Sequence, residues 1–267
     1  MKVRRLLLVL ACATACAQPP AESSEPDLAV PDAVEIDDYP ASAEALYAEF
    51  APMPGGPAVV RYAVTGPGGM EGTMTVTVAE GARRAESWSL QMPLPGREPL
   101  QIRGAAVQTP DVAWTDAAEG SAERVAMPLG RIGKGFFALD SGTQHAIVDH
   151  VRTWHDEVAR GRDAHPGTIE AVAGEACLRT RTAGQSLCVW EETGLPLEYR
   201  SEAFSLVATE VRRGVDIDET TFRIPGGAQD KADLLQTFDV DASLKRLASG
   251  DLAQLPTLLQ PSLRIVG

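Results

Sequence analysis

The stretch Gly174–Pro225 reads GEACLRTRTAGQSLCVWEETGLPLEYRSEAFSLVATEVRRGVDIDETTFRIP. Two β-type runs flank the turn-like Thr182-Ala183-Gly184, and each arm carries one cysteine, Cys177 and Cys188. A third run follows Gly194, a fourth follows Arg213, and Phe222-Arg223-Ile224-Pro225 closes the set as a strand. Gly and Pro punctuation between short β-rich runs predicts an antiparallel meander. That meander is the organising element of an exported β-rich domain.

The export reading comes from the other end of the chain. Met1-Lys2-Val3-Arg4-Arg5 is a charged leader, and Leu6 to Ala15 is an apolar run too short to span a bilayer as a helix. Residues 1–15 therefore read as a signal peptide. The run ends in Ala13-Thr14-Ala15-Cys16, which resembles the lipobox of bacterial lipoproteins. That resemblance implies cleavage before Cys16 and acylation of Cys16, and several acyl chains on one residue make a stable anchor. Ala17 after the cysteine implies, by the same analogy, the periplasmic face of the bacterial outer membrane. An ordinary secretory signal cut near Ala17 is the alternative. With Cys12 and Cys16 in the leader, Cys177 and Cys188 are the pair left in the mature domain. In an oxidising compartment such a pair reads as a disulfide. Their spacing is not C-x-x-C and no histidine lies close by, so a redox or metal pair does not fit.

Composition narrows the partners. With 267 residues and 44% apolar content the chain can bury a core. A net charge of −13 argues against nucleic acid and against electrostatic attraction to anionic lipid. Residues 16–41 are rich in Pro, Ser and acids, and read as an extended tether. Ser42 is placed to cap a helix over Ala43–Phe50. Alternating runs follow at Val59–Thr65, Gly72–Val78 and Arg83–Met92, with weaker ones at Leu100–Val107, Val112–Asp116, Arg124–Met127 and Phe136–Leu139. Ile147, Val151, Trp154 and Val158 make one helical stripe between Gly142 and Gly161. Further helices are expected from Asp230 to about Phe238 and over Ala242–Ala248. The apolar stretch Leu252–Leu259 would strap across a sheet or serve a partner.

The familiar reactive constellations do not assemble. Asp216-Ile217-Asp218-Glu219-Thr220 matches the D-x-D-x-T of haloacid-dehalogenase-type phosphatases, but strands on both sides leave no α/β site and favour turn chemistry. His145, His150 and His155 step around their helix instead of forming an i, i+4 metal pair, and His165 follows it. Gly130-Arg131-Ile132-Gly133-Lys134-Gly135 lacks the phosphate-loop spacing, and no G-x-S-x-G is present. No catalytic residue, metal or cofactor is assigned.

The layout resembles the outer-membrane lipoprotein carrier and receptor family, LolA/LolB-like, over roughly residues 42–226. Short matching segments are Cys188-Val189-Trp190, Gly194-Leu195-Pro196-Leu197 and Phe222-Arg223-Ile224-Pro225. The resemblance implies an α+β fold, a strongly curved antiparallel β-sheet (an unclosed half-barrel) with helices covering its concave face. It also implies an apolar hollow for lipid or acyl chains, with Val76, Trp88, Val189 and Phe204 lining either a core or a cavity. The organisation expected is a signal peptide over 1–15, a tether over 16–41, a β-rich domain over 42–228 and a helical extension over 229–267. The function expected is non-enzymatic: a lipid-anchored protein binding a hydrophobic ligand or an envelope protein partner. The alternatives are an envelope hydrolase with a dispersed Ser/His/Asp site and an accessory subunit of an envelope complex.

The anchor reading has a direct consequence. Cys16→Ser is expected to release the protein from membranes, as read by fractionation. Continued acyl labelling of that variant would refute the assignment.

Overall fold

A computed structural model describes residues 39–117, 122–163, 167–182, 184–190, 192–226, 229–230 and 238–259. The leader, Cys16 and the tether up to residue 38 lie outside the described residues, as does most of the helix expected from Asp230. Residues from Tyr39 onward form one compact unit.

The fold is α+β, built on one open antiparallel sheet of eleven strands, with a twelfth, two-residue strand added in parallel. In chain order the strands are β1 (Ala58–Thr65), β2 (Glu71–Ala79), β3 (Arg83–Met92), β4 (Leu100–Gln108), β5 (Val112–Ala117), β6 (Glu123–Ala126), β7 (Thr168–Val172), β8 (Glu175–Thr182), β9 (Gln185–Trp190), β10 (Pro196–Ser201), β11 (Ser205–Arg213) and β12 (Gln229–Asp230). Across the sheet they run β12-β6-β5-β4-β3-β2-β1-β11-β10-β9-β8-β7. Two meanders thus meet at β1, which pairs with β2 on one side and β11 on the other.

Most sequence expectations have a plain local cause in the structure. Ser42 caps helix α1 (Ala43–Phe50), its hydroxyl accepting from the Ala45 N–H at 3.2 Å. Helix α3 spans Ser141–Asp163 and buries Ile147 and Val151, while Val158 at the far end is 37% exposed. Helix α4 starts slightly earlier than expected, at Val240, capped by Asp239, and ends at Ala248. Cys177 and Cys188 are disulfide-bonded, with 5.4 Å between their Cα atoms. They sit diagonally rather than directly opposite, because Cys177 registers with Trp190 and Cys188 with Arg179.

Three expectations are corrected. Arg213 ends β11, and the segment after it is no strand: Asp218 caps a 3-10 turn over Glu219–Phe222, its carboxylate accepting from the Thr220 N–H at 2.8 Å. The D-x-D-x-T is therefore turn chemistry, and Phe222 anchors the segment on the sheet. Phe136–Leu139 is likewise no strand, because Phe136 closes helix α2 (Pro128–Phe136). The glycines that disguise α2 are packing devices. A Cβ on Gly133 would lie 2.6 Å from the Tyr47 hydroxyl, and one on Gly135 would lie 2.7 Å from the Leu244 side chain. Finally, the expected C-terminal strap is helical and packs among the other helices. Leu46 and Phe50 of α1, Leu129 and Ile132 of α2, Ile147 and Val151 of α3, Leu247 of α4 and Leu255 of α5 (Leu255–Leu259) pack into one core of their own. The expected strap is consequently part of that helical core, with Leu255 and Leu258 buried.

The sheet carries two further clusters. Ala58, Val60 and Tyr62 of β1 join Val76 and Val78 of β2 and Cys177, Cys188, Trp190 and Leu197 of the second meander. Ala79, Val107 and Trp114 are covered by Phe222, Ile217 and Ile224.

Beside the disulfide lies a buried charge network. Arg179, 7% exposed, donates to Glu170 and Glu198, both at 2.6 Å, and to the Ser186 hydroxyl at 2.8 Å. The bond from Arg179 is the main reason the Glu198 carboxyl is held below its ordinary 4.5, against the opposing effect of burial. A lowered folded-state pKa gives stability that is present above the unfolded value and lost as pH falls through the folded one. Glu198→Gln is therefore expected to cost about 2 kcal/mol at neutral pH, because it removes one of the two carboxylates that hold a buried guanidinium. Urea titrations should show that deficit shrinking as pH drops below 4.5, where the unfolded chain's carboxyl takes up its proton while the native one still holds its charge, until pH passes the lower native value. A pH-independent deficit would contradict the assignment.

Candidate functional site

Directly paired residues in an antiparallel sheet share a face. Following the register from strand to strand therefore identifies which side chains lie together. One row runs Leu187, Tyr199, Leu206, Val64, Gly72, Leu90 and Ile102, crossing β9, β10, β11, β1, β2, β3 and β4. The next row on the same face runs Ala208, Tyr62, Met74, Trp88 and Gly104. Both are apolar almost throughout. Tyr62 and Val64, at the centre, are 1% and 3% exposed, whereas Met74, Trp88, Leu90, Ile102, Tyr199 and Leu206 are half-buried. Toward the strand ends Leu100 is 49% exposed and Leu94 36%.

The opposite face over β2–β4 has the reverse character. Its paired positions Thr73, Ser89 and Arg103 are polar, and Thr75 and Ser87 continue it. Nearer the helical end that face becomes apolar at Val107 and Trp114, where Ile217 and Phe222 cover it. No helical side chain joins the cluster that contains Tyr62 and Met74. This face is therefore sealed along β1 and half-open over Met74, Trp88 and Leu90.

Glycine shapes this face. A Cβ at Gly104 would collide with the six-membered ring of Trp88, so the indole lies flat across the neighbouring strand. At Gly72 a Cβ would meet the neighbouring backbone first, at the Ser89 carbonyl oxygen and the Leu90 Cα. Replacing Gly104 would push the Trp88 indole off the sheet.

The face also has a polar end. Arg84 and Glu86 precede Trp88 on the same side of β3, and the Arg84 Nε donates to Glu86. Glu86 is buried and Arg84 mostly so, with side chains 7% and 23% exposed. Burial drives the Tyr62 hydroxyl pKa upward, with nearby Arg84 opposing the rise and Glu86 adding to it. A guanidinium and a carboxylate thus pair next to Trp88, within electrostatic reach of the Tyr62 hydroxyl.

Of the sheet residues singled out in the sequence, Val76 belongs to the core, while Trp88, Val189 and Phe204 are half-buried. Phe204 lies against Tyr199, with ring centroids 6.3 Å apart. Leu90, Ile102, Leu206 and the Arg84–Glu86 pair were missed as parts of a site. The alternation within β3 was the available signal, but only register shows which strands align.

The histidines are engaged in structure. His150 meets the Leu247 carbonyl at 3.0 Å and His155 the Phe50 carbonyl at 3.1 Å, while His145 stacks on Tyr39. Burial is the main effect lowering the His155 pKa. His165 lies outside the described residues. Among those residues no cluster of His, Cys, Asp and Glu is arranged to hold a metal, and no helix is long and apolar enough to cross a membrane. A concavity of about 460 Å³ lies between α3 and α4, lined by Thr143, Asp241, Leu244 and Lys245 among others.

No protein-family model matches the sequence, and no curated protein matches it.

The packing of Trp88 on Gly104 can be checked by itself. Gly104→Ala should displace the indole toward water and shift its emission to the red, with Trp88→Phe isolating the Trp88 contribution. An unchanged spectrum would show that the indole does not lie on that glycine.

Proposed function

We propose that this protein is a lipid-anchored envelope protein of the bacterial outer membrane that binds an acyl chain or comparable hydrophobic ligand on the Tyr62–Trp88–Leu90 face of its sheet. The observation that carries this reading is the pair of registered apolar rows, from Leu187 to Ile102 and from Ala208 to Trp88, opposite a Thr/Ser face. Burying such a surface contributes roughly 25 cal/mol per Å² of apolar area removed from water. A flexible acyl chain can conform to a continuous row in a way that a compact polar metabolite cannot.

Two features support a strongly curved sheet. Strand β7 comes into contact with β11, although three strands separate them in the sheet, and Arg213 of β11 pairs with Glu175 of β8 at 3.6 Å. The central residues Tyr62 and Val64 are sealed while their lateral neighbours are half-open, as expected for the floor of a trough. The lipobox-like Ala13-Thr14-Ala15-Cys16 and the resemblance to lipoprotein carriers point to the same compartment and ligand class. A protein partner on the same face is the second form of this reading. The hydrolase alternative gains no such support, since His150 and His155 spend ring nitrogens on backbone carbonyls.

The test is mass spectrometry of lipids extracted from the purified protein, alongside Leu90→Asp. Wild type is expected to carry acyl lipid and the variant to lose at least about tenfold of it, with melting curves confirming that both fold. A lipid-free wild type that also refuses added fatty acid would sink the reading.

A further inference from the structure

Resting on that reading, we propose that Arg84, Glu86 and Tyr62 form a headgroup site that selects zwitterionic amphiphiles, taking the phosphate on Arg84 and the ammonium on Glu86. Each of the three groups has hydrogen-bonding capacity to spare. Arg84 spends only its Nε on Glu86, and its two terminal nitrogens have no hydrogen-bond partner among the described residues. Glu86 accepts through one oxygen and leaves the other without a described partner. The Tyr62 hydroxyl makes no hydrogen bond to any described residue, although Tyr62 is 1% exposed.

Among the described residues Trp114 Nε1 is the buried side-chain atom without a partner, so the free edges of Arg84, Glu86 and Tyr62 are not sealed and remain open to a ligand. A phosphate on the free guanidinium edge and an ammonium on the free carboxylate oxygen would occupy them, with geometry suited to Arg–phosphate recognition. The pair is neutral overall, which disfavours a ligand that brings net charge of one sign. This fits a protein whose net charge of −13 repels free anions.

The order of residues along β3 suits an amphiphile. Arg84, Glu86, Trp88, Leu90 and Met92 alternate along one side of the strand, polar at the start and apolar from Trp88 on. From Glu86 to Met92 is six residues of strand, or about 20 Å, the length of a long acyl chain. A headgroup at Glu86 would therefore lay its chain over Trp88 and Leu90 and end it near Met92.

The test is calorimetric titration of the purified full-length chain, below the micelle concentration, with oleoyl lysophosphatidylethanolamine, oleoyl lysophosphatidylglycerol, oleyl alcohol and phosphoethanolamine. The ethanolamine lipid should bind about tenfold more tightly than the alcohol or the glycerol lipid. Arg84→Gln and Glu86→Gln should each erase that preference while leaving oleyl alcohol affinity within about twofold. Tyr62→Phe keeps the ring and removes only the hydroxyl, so it should fold even where the charge variants do not, and should weaken the ethanolamine lipid alone. Equal binding of all three amphiphiles, or a preference that survives these substitutions, overturns the headgroup site and leaves the acyl face standing. No binding of any amphiphile overturns the acyl face itself. Phosphoethanolamine bound as tightly as its lipid would overturn the lipid source in favour of a free headgroup ligand.

Discussion

The pairing of β1 with β11 is the constraint on which the rest of this structure depends. Arg61 and Glu210 sit opposite each other although 149 positions separate them in sequence, and they mark the seam between the two meanders. Every other antiparallel contact in the sheet is between strands adjacent in sequence. Without this seam there would be two separate sheets, of β1–β6 and of β7–β11, and each would leave an open edge at its centre. The seam is also irregular: the register shifts between Arg61 and Tyr62, and the Thr209 hydroxyl donates to the Arg61 carbonyl at 3.2 Å. A bulge of this kind adds local twist. It sets Tyr62 beside Ala208, Val64 beside Leu206, and so brings apolar positions of both meanders into one surface.

Much of the local structure was legible because it rests on local chemistry. The Ser42 cap, the alternating threonines and apolar residues of β2, and the cysteines on adjacent arms each report on neighbours a few residues away. The α2 helix was not legible, because its three glycines depress helix propensity and resemble loop punctuation. They are tolerated because Tyr47 and Leu244 approach the helix too closely for a side chain at Gly133 and Gly135. The segment from Ile217 to Ile224 deceived for the opposite reason. Its apolar positions look like strand alternation, yet they serve to cover Trp114 and Val107 from outside the sheet.

The candidate site was half legible. Trp88 and Val189 stand out as large apolar residues in strand-like runs, but their significance depends on which residues face them. Periodicity assigns side chains to one face or the other of a strand, and it does not say how strands align. A slip of one residue between β3 and β4 would put Arg103 beside Trp88 in place of Gly104. The flat indole and the continuous row exist only in the observed register.

A partly open apolar face is a liability, since large exposed patches promote association. The chain limits that hazard where it is greatest. At its outer edges the sheet presents short strands: β7 carries Glu170, tied to Arg179 and Arg181, and β12 is two residues long. Short edges and charge there discourage strand-to-strand aggregation. The centre itself is sealed at Tyr62 and Val64, and the half-buried side chains lie beside it. The threonines and serines that would solubilise the face lie on the other side of β2 and β3, while Met74, Trp88 and Leu90 occupy this one. Charge and short length thus guard the edges, while the middle of the sheet is kept apolar.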